Sequence, residues 1–191
     1  MKSRVLTVPN QLTFLRLGFL PFFIITILYG KYPLALAVLI IAALTDGLDG
    51  LLARSLNQKT SLGAYLDPIA DKLLLSSSFV VLALNRKISW WLATLVLSRD
   101  VLLLTSAAVI LVVSGYRPFP PSIYGKLTTA VQILLVFAVV LLAVTDWPWL
   151  QFVRMIIGYL VAALTVFSGF HYSIVVARRL SDQQGRARGS A

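Results

Sequence analysis

Apolar positions fall in continuous blocks along this chain, separated by short polar punctuation rather than alternating with polar residues. A helix crosses the hydrocarbon core of a bilayer with about 20 such residues. The blocks predict six transmembrane helices: Leu12–Tyr29, Pro33–Ala53, Leu62–Leu84, Trp90–Val113, Ser122–Thr145 and Trp149–Val176. Brief connections at Gly30-Lys31, Asn85–Ile88, Gly115–Pro121 and Asp146–Pro148 favour antiparallel neighbours in a compact bundle. No internal repeat is visible. Residues 1–180 read as one all-α membrane domain, and the polar, small-residue tail Ser181–Ala191 reads as disordered.

Composition supports the bilayer. Of 191 residues 59% are apolar and 13% charged, where a soluble domain has about 25% charged residues. The spans recur to the end and no A-x-A-like site follows the first, which argues against a secretory signal. Without Cys, disulfides, thiolate metal sites and a cysteine nucleophile are excluded. The single His171 cannot build a histidine cluster, and it reads as a packing polar group rather than a base.

Charge adds orientation. The net +10 is scattered between apolar spans, which suits anionic membrane lipids better than nucleic acid. With both termini cytoplasmic, the inside carries Lys2, Arg4, Arg54, Lys59, Arg117, Arg178, Arg179, Arg186 and Arg188, and the outside only Lys31, Arg86 and Lys87. That asymmetry follows the positive-inside rule and orients the bundle; the expected location is a bacterial inner membrane, crossed several times. Trp90, Trp91, Trp147 and Trp149 flank spans on the outer side as an interfacial belt would.

All seven acids are Asp, and Asp46, Asp49, Asp67 and Asp71 cluster at the predicted cytoplasmic ends of the second and third helices. Asp46 and Asp49 are three apart and share a helix face; Gly63, Asp67 and Asp71, each four apart, form a second stripe. The polar stretch Ser55–Ser61 is long enough to turn the chain back, so both stripes can face one space. Ionisable groups cost about 2.5–3.5 kcal/mol each at a bilayer's centre, and Arg54 and Lys72 cannot neutralise four acids. Oxygen-only ligation selects a hard cation, Mg²⁺ or Mn²⁺, over Zn²⁺. Two divalent ions would balance four carboxylates, in a site suited to a phosphate-bearing substrate. Gly50 and Gly63 face the same region, either to let a nucleotide approach the backbone or for close helix contact. Arg54 can fork onto a phosphate or simply serve the charge bias.

These residues spell D-x2-D-G-x2-A-R-x8-G-x3-D-x3-D, through Asp46, Asp49, Gly50, Ala53, Arg54, Gly63, Asp67 and Asp71. The chain resembles the CDP-alcohol phosphatidyltransferase family over about residues 8–180, including its opening Pro9-Asn10-Gln11-Leu12-Thr13-Phe14-Leu15-Arg16. The resemblance implies two divalent ions held by Asp46, Asp49 and Asp67, with Asp71 as ligand, general base or both. It implies that Gly50, Ala53, Arg54 and Gly63 line the CDP site, and that the protein is a homodimer. The implied reaction moves the phosphatidyl group of CDP-diacylglycerol to an alcohol, releasing CMP.

The acceptor is less sharply written. Arg99-Asp100 and Lys126 carry charge within or near spans, and Arg99 with Lys126 could bind an acceptor phosphate or enter structural pairs with aspartates. Ser98–Val101 and Gly125–Gln132 resemble segments of the phosphatidylglycerophosphate-synthase and cardiolipin-synthase branches, favouring glycerol 3-phosphate or phosphatidylglycerol over serine or inositol phosphate. A membrane prenyltransferase would separate its two aspartate motifs further. An ion transporter would place its acids near the midplane with related halves.

Overall fold

The computed structural model describes residues 8–56, 61–114 and 123–189, with side chains described within 15–45 (Arg16 excepted), 72–106 and 123–175. Every described element is a helix: α1 (Val8–Leu28), α2 (Tyr32–Leu56), α3 (Ser61–Leu84), α4 (Trp90–Ser114), α5 (Ile123–Thr145) and α6 (Pro148–Gly189). The six predicted blocks each match one helix, and the bounds of α1 to α5 differ from prediction by a few residues at most. α6 departs more: it continues through the tail expected to lack structure. The stretch after Val176 holds no proline and is supplied with Arg, Gln and Ala, which favour helix.

The turns explain where helices stop. At the end of α1, Lys31 N–H reaches the Thr26 carbonyl at 2.8 Å and Gly30 N–H the Ile27 carbonyl at 3.0 Å. This is a Schellman cap with Gly30 at φ 67°. α3 ends the same way, with Lys87 N–H on the Leu82 carbonyl at 2.9 Å and Arg86 N–H on the Ala83 carbonyl at 3.0 Å. There a non-glycine residue, Arg86, adopts φ 56°. Pro148 opens α6, a position where its missing N–H has no helical partner to lose.

α5 packs against α6, α2 and α3; α1 packs against both α2 and α3; and α4 lies on α6 and α3. The apolar core gathers near the end of the bundle that carries the turns at Gly30, Arg86 and Asp146, around Phe23, Ile27, Phe79, Leu82, Val96 and Val139. Toward the middle the interior turns polar, with Ser78, Arg99, Asp100, Thr128, Gln132, Thr165 and Ser168 all buried.

The outside is apolar too: Phe22, Leu34, Leu104, Phe152 and Phe170 are all more than half exposed. Exposed hydroxyls are tied back onto their own helices, as with Thr45 on the Ile41 carbonyl (2.7 Å), Ser77 on Leu73 (2.6 Å) and Thr105 on Val101 (2.8 Å). Back-bonding of that kind satisfies a hydroxyl where no water competes. Among the described residues, α5 and the Pro148–Val175 part of α6 are long and apolar enough to cross a membrane; Leu17–Leu28, Tyr32–Thr45 and Lys72–Leu84 are shorter apolar stretches.

Candidate active site

The aspartate motif falls on two helices joined by a short connection. Asp46 and Asp49 lie in the second half of α2, and Asp67 and Asp71 in the first half of α3. At 1.5 Å per residue, Asp46 stands about 15 Å from the end of α2 and Asp71 about 15 Å from the start of α3; Asp49 and Asp67 stand about 10 Å and 9 Å in. The two pairs therefore stand at similar distances along their helices from the connection. The side chains of these four, and of Gly50, Ala53, Arg54 and Gly63, lie outside the described residues. Among the residues described, no group of three or more His, Cys, Asp or Glu could hold a metal. The donor chemistry of the motif itself, four carboxylates in a chain with no Cys, fits a hard divalent cation.

Immediately after Asp71 on α3, Lys72 enters a charged network. Lys72 Nζ lies 2.6 Å from Asp100 Oδ1, and Arg99 Nη1 donates to the same oxygen at 2.9 Å. Ser76 Oγ, one turn along α3, donates to Asp100 Oδ2 at 3.3 Å. On its other side Arg99 donates from Nη2 to Ser168 Oγ at 2.9 Å. One carboxylate thus holds two cations and links α3 to α4, and Arg99 carries the network on to α6. The Asp100 and Arg99 side chains are 5% and 4% exposed against 26% for Lys72, so the network runs from a half-open edge into the interior.

Of the two sequence readings of Arg99, pairing with Asp100 is formed. Its Nε is buried without a partner, as are both amide atoms of Gln132 and the hydroxyl of Thr165. Gly169 lies beside Arg99; a Cβ there would stand 3.8 Å from Arg99 Cγ, so a small residue accommodates the arginine stem. Lys126 is exposed near the start of α5. His171 packs its ring against Tyr124 (5.1 Å between centroids) and Phe167 (6.5 Å), with Nδ1 buried and unpartnered. Sequence reasoning did not identify Lys72, Ser76 and Ser168 as partners of the Arg99-Asp100 pair. The available signal was the Lys72–Ser76 spacing of four within an apolar run, one helix away from an acid that needed a base.

Charged groups buried among helices that carry an apolar exterior mark a membrane protein with a polar interior. The chain matches the CDP-alcohol phosphatidyltransferase family over residues 6–167, and it belongs to that family. It is 34% identical to a protein of Mycobacterium tuberculosis named "Probable phosphatidylglycerophosphate synthase", over 96% of this chain and 87% of the relative. It is 35% identical to the "Cardiolipin synthase (CMP-forming)" of Streptomyces coelicolor, over 92% of this chain and 85% of the relative. With the human protein of that same name it shares 33% identity, over 92% of this chain and 64% of the relative.

Proposed function

We propose that the chain is a metal-dependent phosphatidyltransferase that moves the phosphatidyl group of CDP-diacylglycerol to a glycerol-type alcohol, glycerol 3-phosphate or phosphatidylglycerol, and releases CMP. The observation that carries this reading is the complete eight-residue motif from Asp46 to Asp71 within a family match that spans most of the chain. The acceptor class is supported by relatives named for phosphatidylglycerophosphate and cardiolipin synthesis.

The roles divide by helix. Asp46, Asp49 and Asp67 hold divalent cations, with Asp71 as a further ligand, the general base, or both in turn; Mg²⁺ or Mn²⁺ suits oxygen donors. When bound, two such cations supply charge stabilisation for an in-line displacement at phosphorus. Gly50, Ala53 and Gly63 leave room for the cytidine diphosphate, and Arg54 forks onto its pyrophosphate. Asp71 accepts the proton of the acceptor hydroxyl, the freed oxygen attacks the lipid-side phosphorus, and the bond to CMP breaks.

Lys126, exposed near the start of α5, attracts an acceptor phosphate, and Arg99, whose Nε has no partner, is the second cation for it. The bundle crosses a bacterial inner membrane six times with both termini cytoplasmic, and it forms a homodimer, as the family resemblance implies. Incubating purified protein with CDP-diacylglycerol, metal and an acceptor panel, then identifying the lipid by mass spectrometry, tests the assignment. Formation of phosphatidylserine or of an inositol lipid alone would refute the glycerol-type acceptor.

A further inference from the structure

At the end of the bundle that carries the Gly30 and Arg86 turns, away from the aspartates, a cleft of ≈ 680 Å³ opens between the α3–α4 turn and the first turns of α6. Its volume is in the range of ligand pockets, about 300–1,000 Å³. Three cations line it: Arg86, Lys87 and Arg154. Arg154 donates from Nη1 to the Lys87 carbonyl at 3.3 Å, which ties the cation of α6 to the turn. Lys87 Nζ stands 4.7 Å over the Tyr32 ring.

Among the described residues the ion pairs are Lys72–Asp100 and Arg99–Asp100, so no carboxylate neutralises any of the three cations. Even Asp146, an acid in the α5–α6 turn, pairs with none of them. Arg86 also holds a left-handed backbone position that glycine fills at the equivalent turn of α1. Both Arg86 and Lys87 run against the charge bias of the chain. The cleft is not merely basic: the core residues Leu92, Leu135 and Val139 close its floor, and Trp90, Trp91, Met155 and Tyr159, each about half exposed or more, supply its apolar lining.

We propose that this cleft binds the headgroup phosphate of an anionic phospholipid, whose acyl chains lie along the apolar lining. Uncompensated cations call for an anion, and the apolar wall with its indole rim calls for one attached to hydrocarbon. A soluble phosphate would satisfy the first and leave the second unused. Access from the bilayer rests on the membrane-spanning reading above, but the site is independent of the phosphatidyl-transfer chemistry.

The test uses the full chain in neutral detergent, with dioleoyl phosphatidate as the probe, dioleoyl phosphatidylcholine as the neutral lipid and inorganic phosphate as the soluble anion. Retained lipid is quantified by native mass spectrometry. Phosphatidate should be retained over phosphatidylcholine, and inorganic phosphate should not displace it. Each cation facing an anionic lipid contributes roughly fivefold in affinity, so Arg86→Gln should weaken retention about fivefold and the Arg86→Gln/Lys87→Gln pair about thirtyfold.

The pair preserves the bond from Arg154, because its acceptor is a backbone carbonyl, and the single variant changes an exposed side chain. Arg178→Gln/Arg179→Gln removes equal charge elsewhere and should change nothing. Wild-type retention in Arg86→Gln and in the folded double variant would overturn the proposal, as would equal retention of phosphatidylcholine or displacement by inorganic phosphate. Asp71→Asn should retain phosphatidate as the wild type does, so loss of transfer chemistry and loss of this site are separable outcomes.

Discussion

Lys72 Nζ lies 2.6 Å from Asp100 Oδ1, and Lys72 is the residue that follows Asp71 on α3. The ammonium therefore anchors the middle of α3 to the middle of α4, one residue from the proposed base. Because Asp100 also holds Arg99 at 2.9 Å, the carboxylate is the shared counter-charge of two cations from different helices.

Asp100→Asn strips that counter-charge from both. Removing one partner of a buried pair typically costs about 3–5 kcal/mol, because the other charge stays buried and unpaired. The variant is expected to melt well below the wild type in detergent and to lose transfer activity with it. A melting temperature equal to that of the wild type would show that the network does not hold α3 to α4.

Gly169 offers a graded test of the same network. A Cβ would stand 3.8 Å from Arg99 Cγ, an ordinary contact, so Gly169→Ala should be close to neutral. Gly169→Leu drives its branches into the arginine stem and should cost about 1–3 kcal/mol, as overpacking does. Comparable melting curves for the alanine and leucine variants would mean that Arg99 is not confined there.

Arg86 separates stability from ligand binding. Its φ of 56° sits where glycine carries no steric penalty, and a left-handed L-residue costs about 1–2 kcal/mol. Arg86→Gly is expected to raise the melting temperature in neutral detergent while weakening phosphatidate retention. A fall in melting temperature under those conditions would contradict the strain assigned to that turn.

The helices were legible because long apolar blocks need no tertiary information to be recognised. Their number and most of their limits follow from Gly30, Pro148 and the polar breaks. The helical course of 181–189 was not legible, since small and polar residues such as Ser181 and Gly185 suggest disorder while Gln183, Gln184 and Arg186 tolerate helix. The motif on α2 and α3 was readable through its spacing. What pairs with Asp100 was not, because Lys72, Ser76 and Arg99 meet only once three helices are packed. The cleft of Arg86, Lys87 and Arg154 was hidden for the same reason: residues 87 and 154 are distant in sequence and meet only where α6 bonds to the α3–α4 turn.

Asp71→Asn keeps the shape of the side chain and removes its basicity. A positioned general base contributes about 10²–10⁴-fold in rate, so CMP release should fall by at least that range while the circular dichroism spectrum stays helical. Near-normal turnover would remove Asp71 from the role of base.

The most direct measurement is CMP release by purified, folded protein supplied with CDP-diacylglycerol and either glycerol 3-phosphate or phosphatidylglycerol, first with Mg²⁺ or Mn²⁺ and then with excess chelator. CMP should appear in step with a phosphatidyl product in the presence of metal, and chelation should stop both. Release that continues unchanged under chelation, or folded protein that yields no CMP with either acceptor, would contradict a carboxylate-held divalent site for phosphatidyl transfer.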